Sequence, residues 1–186
     1  RYIEITNFTI DGNRSNNTSG RGIYLHAPRN CKIHGMWIKE TDEEAIRLSG
    51  ISGTLGWYNW VTENEIDSCD DGIKVFGYCE HNYILANTIT FIGGNGVFAD
   101  SDQDIIAFNK FDVCSGAGVH VEYGAGAFLI YKNTFDNNVG HDICVRAAGK
   151  TIVEGNWFGN SATATRAHVA NGQYGSEASN YLIVTG

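Results

Sequence analysis

Three acidic residues and one histidine near the middle of the chain are predicted to lie on or beside one face of the fold: Asp71, Asp100, Glu122 and His120. Two carboxyl groups can cleave a glycosidic bond when one acts as an acid and the other as a nucleophile or base. A separation of about 5 Å suits retaining hydrolysis, and about 6.5–9.5 Å suits inversion. We predict these four residues as the catalytic set, with the histidine as a proton shuttle.

Basic and aromatic residues share the register of the acidic residues. Aromatic rings cover the apolar faces of sugars, and basic side chains bind the carboxylates of acidic sugars. The predicted substrate-binding residues are Arg47, Lys74, Phe76, Phe98 and Arg146. The other interpretation of Arg146 is an exposed ion pair with Glu122, which contributes about 0–1 kcal/mol.

A further acidic segment, Asp100 to Asp104, is predicted as a turn beside this surface. It lacks the spacing and the closing glutamate of an EF-hand loop. We therefore predict no metal site and no cofactor, with calcium at this segment as the alternative.

Composition excludes several classes of protein. The formal charge of −8 over 186 residues disfavours a nucleic-acid partner. No apolar run approaches the roughly 20 residues of a membrane-spanning helix. The 23 glycines indicate many tight turns and argue against a helical bundle. The five cysteines match no zinc-binding spacing, so we expect buried free thiols.

A repeat of about 23 residues positions the predicted site residues. In one part of the repeat, an asparagine lies three residues after one apolar residue and two residues before another, as Asn87 does between Ile84 and Ile89. Another part is a short strand such as Gly72-Ile-Lys-Val75. Such short strands bury their apolar sides only when successive coils stack. The sequence therefore predicts an all-β fold: a single-stranded parallel β-helix of about seven coils, with three short parallel sheets.

The asparagines of the repeat predict a ladder in the turn between the second and third strands of each coil. They are Asn64, Asn87, Asn109, Asn133 and Asn156. Their amides can bond from coil to coil, and asparagine tolerates the left-handed backbone of a short bend. The segment Thr41–Leu48 also scans as a capping box before a helix. The repeat register instead makes Ala45–Leu48 a strand.

The Gly-Ile-x-Val strands form the first sheet, and alternation along them predicts which side chains face outward. The first outward row is Tyr24, Arg47, Lys74, Phe98, His120 and Cys144. The second is His26, Ser49, Phe76, Asp100, Glu122 and Arg146. A third, just before the strands, is Glu44, Asp71, Asn95, Ala117 and His141. Asp100 and Glu122 then stand on adjacent coils, with backbones about 4.8 Å apart.

The opening, Ile5-Thr-Asn-Phe-Thr-Ile-Asp-Gly-Asn13 followed by Gly22-Ile-Tyr-Leu25, resembles the pectate-lyase-like right-handed parallel β-helix superfamily. The resemblance is closest to its branch of phage tailspikes and polysaccharide-degrading β-helices. It implies a right-handed coil and a substrate groove across the first sheet. Acidic pairs before two strands look like those of polygalacturonases. However, Gly94-Asn95-Gly96 stands where that group has Gly-His-Gly, so we do not predict that activity.

Together, the site residues and the resemblance predict a polysaccharide-binding protein that cleaves a surface or cell-wall glycan as an endo-glycosidase. One alternative is a polysaccharide lyase acting on a uronate-containing glycan, with Lys74 and Arg146 at the acidic sugar. Another is a non-catalytic structural or adhesin module. The resemblance also implies an extracellular or virion-surface location and a possible homotrimer.

The chain is predicted as one β-helix domain over residues 1–186, and as a piece of a longer chain. Residues 1–20 are expected to form a first partial coil and a long turn. Residues 161–186 are expected to form an irregular terminal coil.

Overall fold

In a computed structural model, the chain is a parallel β-helix whose coils contribute strands to three sheets. The structure describes residues 2–122, 126–146, 149–160, 168–171 and 181–185. Within these residues, the only helix is one 3-10 turn at Arg14–Asn16. None of the described segments is a helix of the length and apolarity needed to cross a membrane.

The strands within each sheet pair in parallel, as the repeat predicts. The first sheet contains β3 (Ile23–His26), β6 (Glu44–Ser49), β10 (Asp71–Glu80), β13 (Val97–Asp102), β16 (Val119–Val121), β19 (Ile143–Val145) and β22 (Val169–Asn171), with β7 (Gly56–Trp57) beside the end of β10. The second contains β1 (Glu4–Thr6), β4 (Lys32–His34), β8 (Trp60–Thr62), β11 (Tyr83–Leu85), β14 (Ile105–Ala107), β17 (Phe128–Tyr131), β20 (Lys150–Glu154) and β23 (Tyr181–Thr185). The third contains β2 (Thr9–Asp11), β5 (Trp37–Lys39), β9 (Glu65–Asp67), β12 (Thr88–Ile92), β15 (Lys110–Cys114), β18 (Thr134–Asp136) and β21 (Trp157–Phe158).

The core consists of like side chains stacked from coil to coil. The second sheet buries the series Ile33, Val61, Ile84, Ile106, Ile130 and Val153. In the third sheet, the rings of Phe111, Phe135 and Phe158 stack with centroids 5.0 and 5.4 Å apart. Burial of one such side chain stabilises the fold by roughly 1.5–3 kcal/mol, so this stacking fixes the register of every coil. All five cysteines are buried free thiols, as expected.

The predicted asparagine ladder is confirmed between the second and third sheets. At Asn109, Nδ2 donates to Oδ1 of Asn133 at 3.0 Å and to the carbonyl of Ile84 at 2.9 Å. Its Oδ1 accepts from the backbone N–H and from Nδ2 of Asn87, both at 2.9 Å. The buried amide therefore has partners for both its donor and its acceptor groups.

The left-handed residue of this turn is not the asparagine, so that part of the prediction is wrong. Positive φ angles occur one residue earlier, for example 56° at Ala86, 59° at Phe108 and 49° at Lys132. The side chain before the asparagine points outward, and Phe108 is 56% exposed. The left-handed residue makes the bend, and the asparagine that follows holds it by hydrogen bonds to adjacent coils.

A second ladder, which the sequence analysis did not predict, lies between the first and second sheets. Nδ2 of Asn59 donates to Oδ1 of Asn82 at 2.9 Å, and Nδ2 of Asn82 donates to Oδ1 of Asp104 at 2.9 Å. Oδ2 of Asp104 accepts from the hydroxyl of Ser101 at 2.5 Å. Burial raises the pKa of Asp104 to about 7, although these hydrogen bonds act to lower it. The ladder thus contains a carboxyl group that titrates near neutral pH.

Asp104→Asn is expected to make the protein more stable above pH 7. The folded pKa of Asp104 exceeds the ordinary 3.8, so its contribution to stability is complete below about pH 4 and is lost as pH rises through 7. An asparagine has the same shape and never carries the buried charge, which gives about 1–3 kcal/mol of stabilisation at pH 8. Denaturant unfolding at pH 4 and pH 8 measures the difference between variant and parent. Glu65→Gln, at an exposed position, is the control. If the difference in unfolding free energy between variant and parent does not grow with pH, Asp104 does not carry a destabilising charge in the ladder.

Two local expectations near the site have opposite outcomes. The predicted strand Ala45–Leu48 lies within β6 (Glu44–Ser49), and the helical alternative is wrong. The prediction of a turn over residues 100–104 is wrong in its first part, because the strand β13 continues to Asp102. Asp104 is buried in the second ladder, while Oδ1 of Asp102 accepts from the backbone N–H of Ala127 at 3.1 Å. The acidic side chains of this segment therefore have separate partners.

At the two ends, the predicted subdivisions are described only in part. Residues 2–20 contain β1, β2 and the 3-10 turn. Of residues 161–186, the structure describes the strands β22 and β23 together with residue 168, and the rest of the expected terminal coil lies outside the described residues. These bounds stay predictions.

Candidate functional site

The outer face of the first sheet carries the predicted rows in the predicted register. In the first row, Tyr24 pairs with Arg47, then Lys74, Phe98, His120 and Cys144 follow on successive strands. In the second row, Ser49, Phe76 and Asp100 are paired neighbours. Backbone hydrogen bonds from Glu122 to Ala99 and from Arg146 to Val121 extend that row. Alternation positions these side chains outward because Ile46, Ile73 and Val97 fill the core.

Asp100 is a partly buried carboxyl group on this face. Burial raises its pKa, and the nearby charge of Glu122 raises it further. Within the described residues, no hydrogen bond or ion pair to the Asp100 carboxyl offsets these two effects. Asp100 therefore keeps its proton to higher pH than an ordinary aspartate, which is the property of a general acid.

Glu122, on the next coil, lies in a different electrostatic setting. Arg146 Nη1 is 2.8 Å from Oε1 of Glu122, and His120 Nε2 is 3.2 Å from Oε2. The interpretation of Arg146 as an ion-pair partner of Glu122 is thus confirmed. On adjacent coils, the Asp100 carboxyl thus has no cationic partner among the described residues, whereas the Glu122 carboxylate contacts an arginine. Such a difference in surroundings separates the acid from the nucleophile in glycosidases.

His120 joins this pair to the aromatic row. Its ring lies 5.2 Å from the ring of Phe98, measured between centroids. Burial lowers the pKa of His120, although Glu122 acts to raise it. The imidazole therefore loses its proton at a lower pH than an ordinary histidine, and the neutral ring can accept a proton. Asp71 is close enough for its charge to act on His120 as well.

Asp71, the remaining predicted catalytic residue, belongs to a second charged cluster in the row before the strands. Burial raises its pKa, opposed by a hydrogen bond from the backbone N–H of Asn95 at 2.7 Å. Lys74 Nζ lies 3.9 Å from Oδ2 of Asp71. The structure therefore brings Asp100, Glu122 and His120 together and positions Asp71 beside the predicted sugar-binding lysine.

The centre of the second cluster is Glu44, which the sequence analysis did not select as a site residue. Its buried carboxylate contacts Arg21 Nε at 2.6 Å, Arg47 Nη1 at 3.2 Å and Lys74 Nζ at 3.2 Å. Burial acts to raise its pKa, but the hydrogen bonds from Arg21 and Lys74 prevail and lower it. Glu44 thus holds two predicted substrate-binding cations in place. The available signal was its position in the row beside Arg47 and Lys74.

The predicted aromatic residues differ in their access to a ligand. Phe98 has the Lys74 ammonium 5.1 Å from its centroid and His120 as its neighbour on the next strand. Phe76 is 38% exposed, and the Arg47 guanidinium lies 5.5 Å from its centroid. Phe76 is therefore the more accessible ring for a sugar, while Phe98 packs within its row.

Comparisons with known proteins agree with this architecture. The family described as right handed beta helix region matches residues 79–181, and the family described as periplasmic copper-binding protein (NosD) matches residues 2–95. No curated protein matches the sequence. The fold is similar to the crystal structure of a double mutant of the periplasmic alginate epimerase AlgG, with a TM-score of 0.58 and 13% identity. That alignment covers 100% of this chain and 47% of the epimerase, so the chain spans about half the length of that relative.

The description of the NosD family implies copper, but the residues of this chain do not fit a copper site. Copper in proteins binds cysteine, methionine and histidine side chains. In the matched range, Met36 and the thiols Cys31, Cys69 and Cys79 are all buried in the core. Among the described residues, no three histidine, cysteine, aspartate or glutamate side chains converge to hold an ion. The likeness therefore concerns the fold: the chain belongs to the right-handed β-helix family, and its N-terminal half also falls within the NosD family.

Proposed function

We propose that this chain binds a polysaccharide across the first sheet and cleaves a glycosidic bond between Asp100 and Glu122. The observation that carries the proposal is the contrast between these two neighbours. Asp100 has a raised pKa and no cationic partner among the described residues, whereas Glu122 contacts Arg146 at 2.8 Å. Carboxyl pairs with such unequal surroundings divide the acid and nucleophile roles of glycoside hydrolysis.

In the proposed mechanism, Asp100 protonates the glycosidic oxygen while Glu122 attacks the anomeric carbon. The bond to the leaving sugar breaks, and a glycosyl ester forms on Glu122. Asp100, now ionised, takes a proton from water, and that water hydrolyses the ester. Adjacent strands lie about 4.8 Å apart, which matches the separation of roughly 5–5.5 Å in retaining enzymes. The product is therefore expected to retain the anomeric configuration.

Neighbouring residues supply binding and proton transfer in this proposal. Arg146 holds the carboxylate of Glu122 through a contact at 2.8 Å, and His120 Nε2 lies 3.2 Å from its other oxygen. Phe76 offers an exposed ring beside Asp100 on the adjacent strand. Lys74 and Arg47, held by Glu44, face the next sugar units along the groove.

A second candidate is a lyase that acts on a uronate-containing glycan. The observation in its favour is the pKa of His120, which burial lowers; its neutral ring can remove the proton next to the uronate carboxylate. The structural relative is an alginate epimerase, a protein whose name refers to a uronate polymer. In this alternative, Arg146 and Lys74 neutralise the uronate carboxylate.

Location and assembly are also part of the proposal. The matched NosD family and the structural relative are both described as periplasmic, which supports action outside the cytoplasm. The resemblance to tailspikes extends the proposal to a virion surface and a homotrimer. Light scattering on the purified chain measures the assembly state directly.

One assay on a panel of neutral and uronate-containing polysaccharides separates these functions. New reducing ends support hydrolysis by Asp100 and Glu122 if proton NMR shows that their anomeric configuration is retained. Ultraviolet absorbance of an unsaturated uronate supports the lyase. Binding without either product supports the non-catalytic module and overturns the proposed cleavage.

A further inference from the structure

The outer face of the second sheet contains a pocket separate from the groove. Its volume is about 480 Å³, and it is lined by Glu4, Lys32, His34, Trp60 and Thr62. These side chains come from three neighbouring strands, β1, β4 and β8, whose register aligns Glu4 with Lys32 and Lys32 with Trp60. A volume of this size falls in the range of about 300–1,000 Å³ that small-molecule sites occupy.

One wall of this pocket is an aromatic ring supported from behind. The rings of Trp60 and Tyr83 are stacked, with centroids 5.3 Å apart and planes 5° from parallel. Tyr83 follows Trp60 on the next strand, so it covers one face of the indole. Lys32 precedes Trp60 on the other side, where the pocket lies. The indole is therefore held in position by Tyr83 and lines the pocket.

The polar groups of the pocket are held in place before any ligand binds. His34 Nε2 lies 2.9 Å from Oε1 of Glu4, and His34 Nδ1 lies 3.3 Å from the hydroxyl of Thr6. The hydroxyl of Tyr2 donates to Oε2 of Glu4 at 2.9 Å. Within the described residues, the Lys32 ammonium forms no ion pair, although its charge acts on Glu4. An ordered pair of polar groups thus stands beside an available cation.

We propose that this pocket binds one pyranose unit of an acidic glycan. The apolar face of the sugar ring stacks on Trp60, as sugar rings do on aromatic side chains. The Lys32 ammonium pairs with the sugar carboxylate, and Glu4 and His34 hydrogen-bond its hydroxyls. The proposal depends on the residues of the second sheet alone, so it stands or falls independently of cleavage in the groove.

NMR titration of the intact chain tests the proposal at Trp60 itself. Its indole N–H signal is assigned by its disappearance in Trp60→Phe. The probes are a galacturonate trisaccharide and the same trisaccharide with its carboxylates reduced to alcohols. The Trp60 signal is expected to shift with the acidic probe. The probe concentration at the titration midpoint is expected to be about fivefold higher for Lys32→Gln, because one exposed ion pair contributes up to about 1 kcal/mol.

Matched variants keep the result specific to the pocket. Trp37→Phe removes an exposed indole on the third sheet and is expected to leave the Trp60 titration unchanged. Arg146→Gln alters the groove and is likewise expected to leave it unchanged. A Trp60 signal that does not move with the acidic probe overturns the site. Equal midpoints for the acidic and neutral probes, or for the parent and Lys32→Gln, overturn the acidic class of ligand.

Discussion

Glu122→Gln and Asp100→Asn are each expected to lower turnover of a cleaved polysaccharide by about 10²–10⁴-fold, the usual loss for a catalytic acid or base. Both substitutions keep the shape of the side chain. Asp100→Asn removes the proton that the leaving oxygen needs. Glu122→Gln removes the negative charge that Arg146 faces at 2.8 Å. Initial rates with saturating polysaccharide measure the loss, and glycan binding is expected to persist.

The pH dependence distinguishes the role of Asp100 from a general loss of activity. Burial and Glu122 raise the pKa of Asp100, so the protonated acid persists to higher pH than an ordinary aspartate. Activity of the parent is therefore expected to fall as pH rises through that pKa, and the residual activity of Asp100→Asn is expected to lack this limb. Glu65→Gln, on an exposed side chain of the third sheet, is the matched control and should keep full activity. Full activity in both groove variants would show the assignment to be wrong.

Asn109→Ala is expected to destabilise the protein by about 1–3 kcal/mol, because the buried backbone N–H of Asn87 loses its acceptor and the ladder loses three further hydrogen bonds. The backbone N–H and Nδ2 of Asn87 lose the acceptor that they share. The carbonyl of Ile84 and Oδ1 of Asn133 lose the Nδ2 donor. Denaturant unfolding of the variant and the parent measures the difference in free energy.

Two further variants isolate the ladder from the turn around it. Lys110→Ala changes the next residue, whose side chain is exposed, and is expected to alter stability by less than about 0.5 kcal/mol. Asn156→Ala removes the last amide of the ladder, which is only partly buried, and is expected to cost less than Asn109→Ala. Equal costs at Asn109 and Lys110 would mean that the ladder contributes nothing of its own.

The sequence alone determined the coil, its three sheets and the outward rows. The reason is that strand side chains alternate and stacked coils repeat, so one apolar register fixes which residues face the core in every turn. Asp100, Glu122 and Arg146 therefore appear as neighbours in the structure as they do in the pattern. The asparagine ladder follows from the same register.

Beyond the asparagine ladder and the Glu122–Arg146 contact, only the tertiary structure decided which side chains pair between coils. Glu44 became the centre of three cations, and Asp104 became a buried ladder carboxyl with a pKa of about 7. Spacing along the chain does not specify these outcomes, because they depend on side-chain rotamers and on burial set by the adjacent coils. The sequence also did not indicate the left-handed residue before each ladder asparagine. Ala86, Phe108 and Lys132 occupy that position and share no side-chain type. Their common feature is a backbone angle that the stacked coils impose.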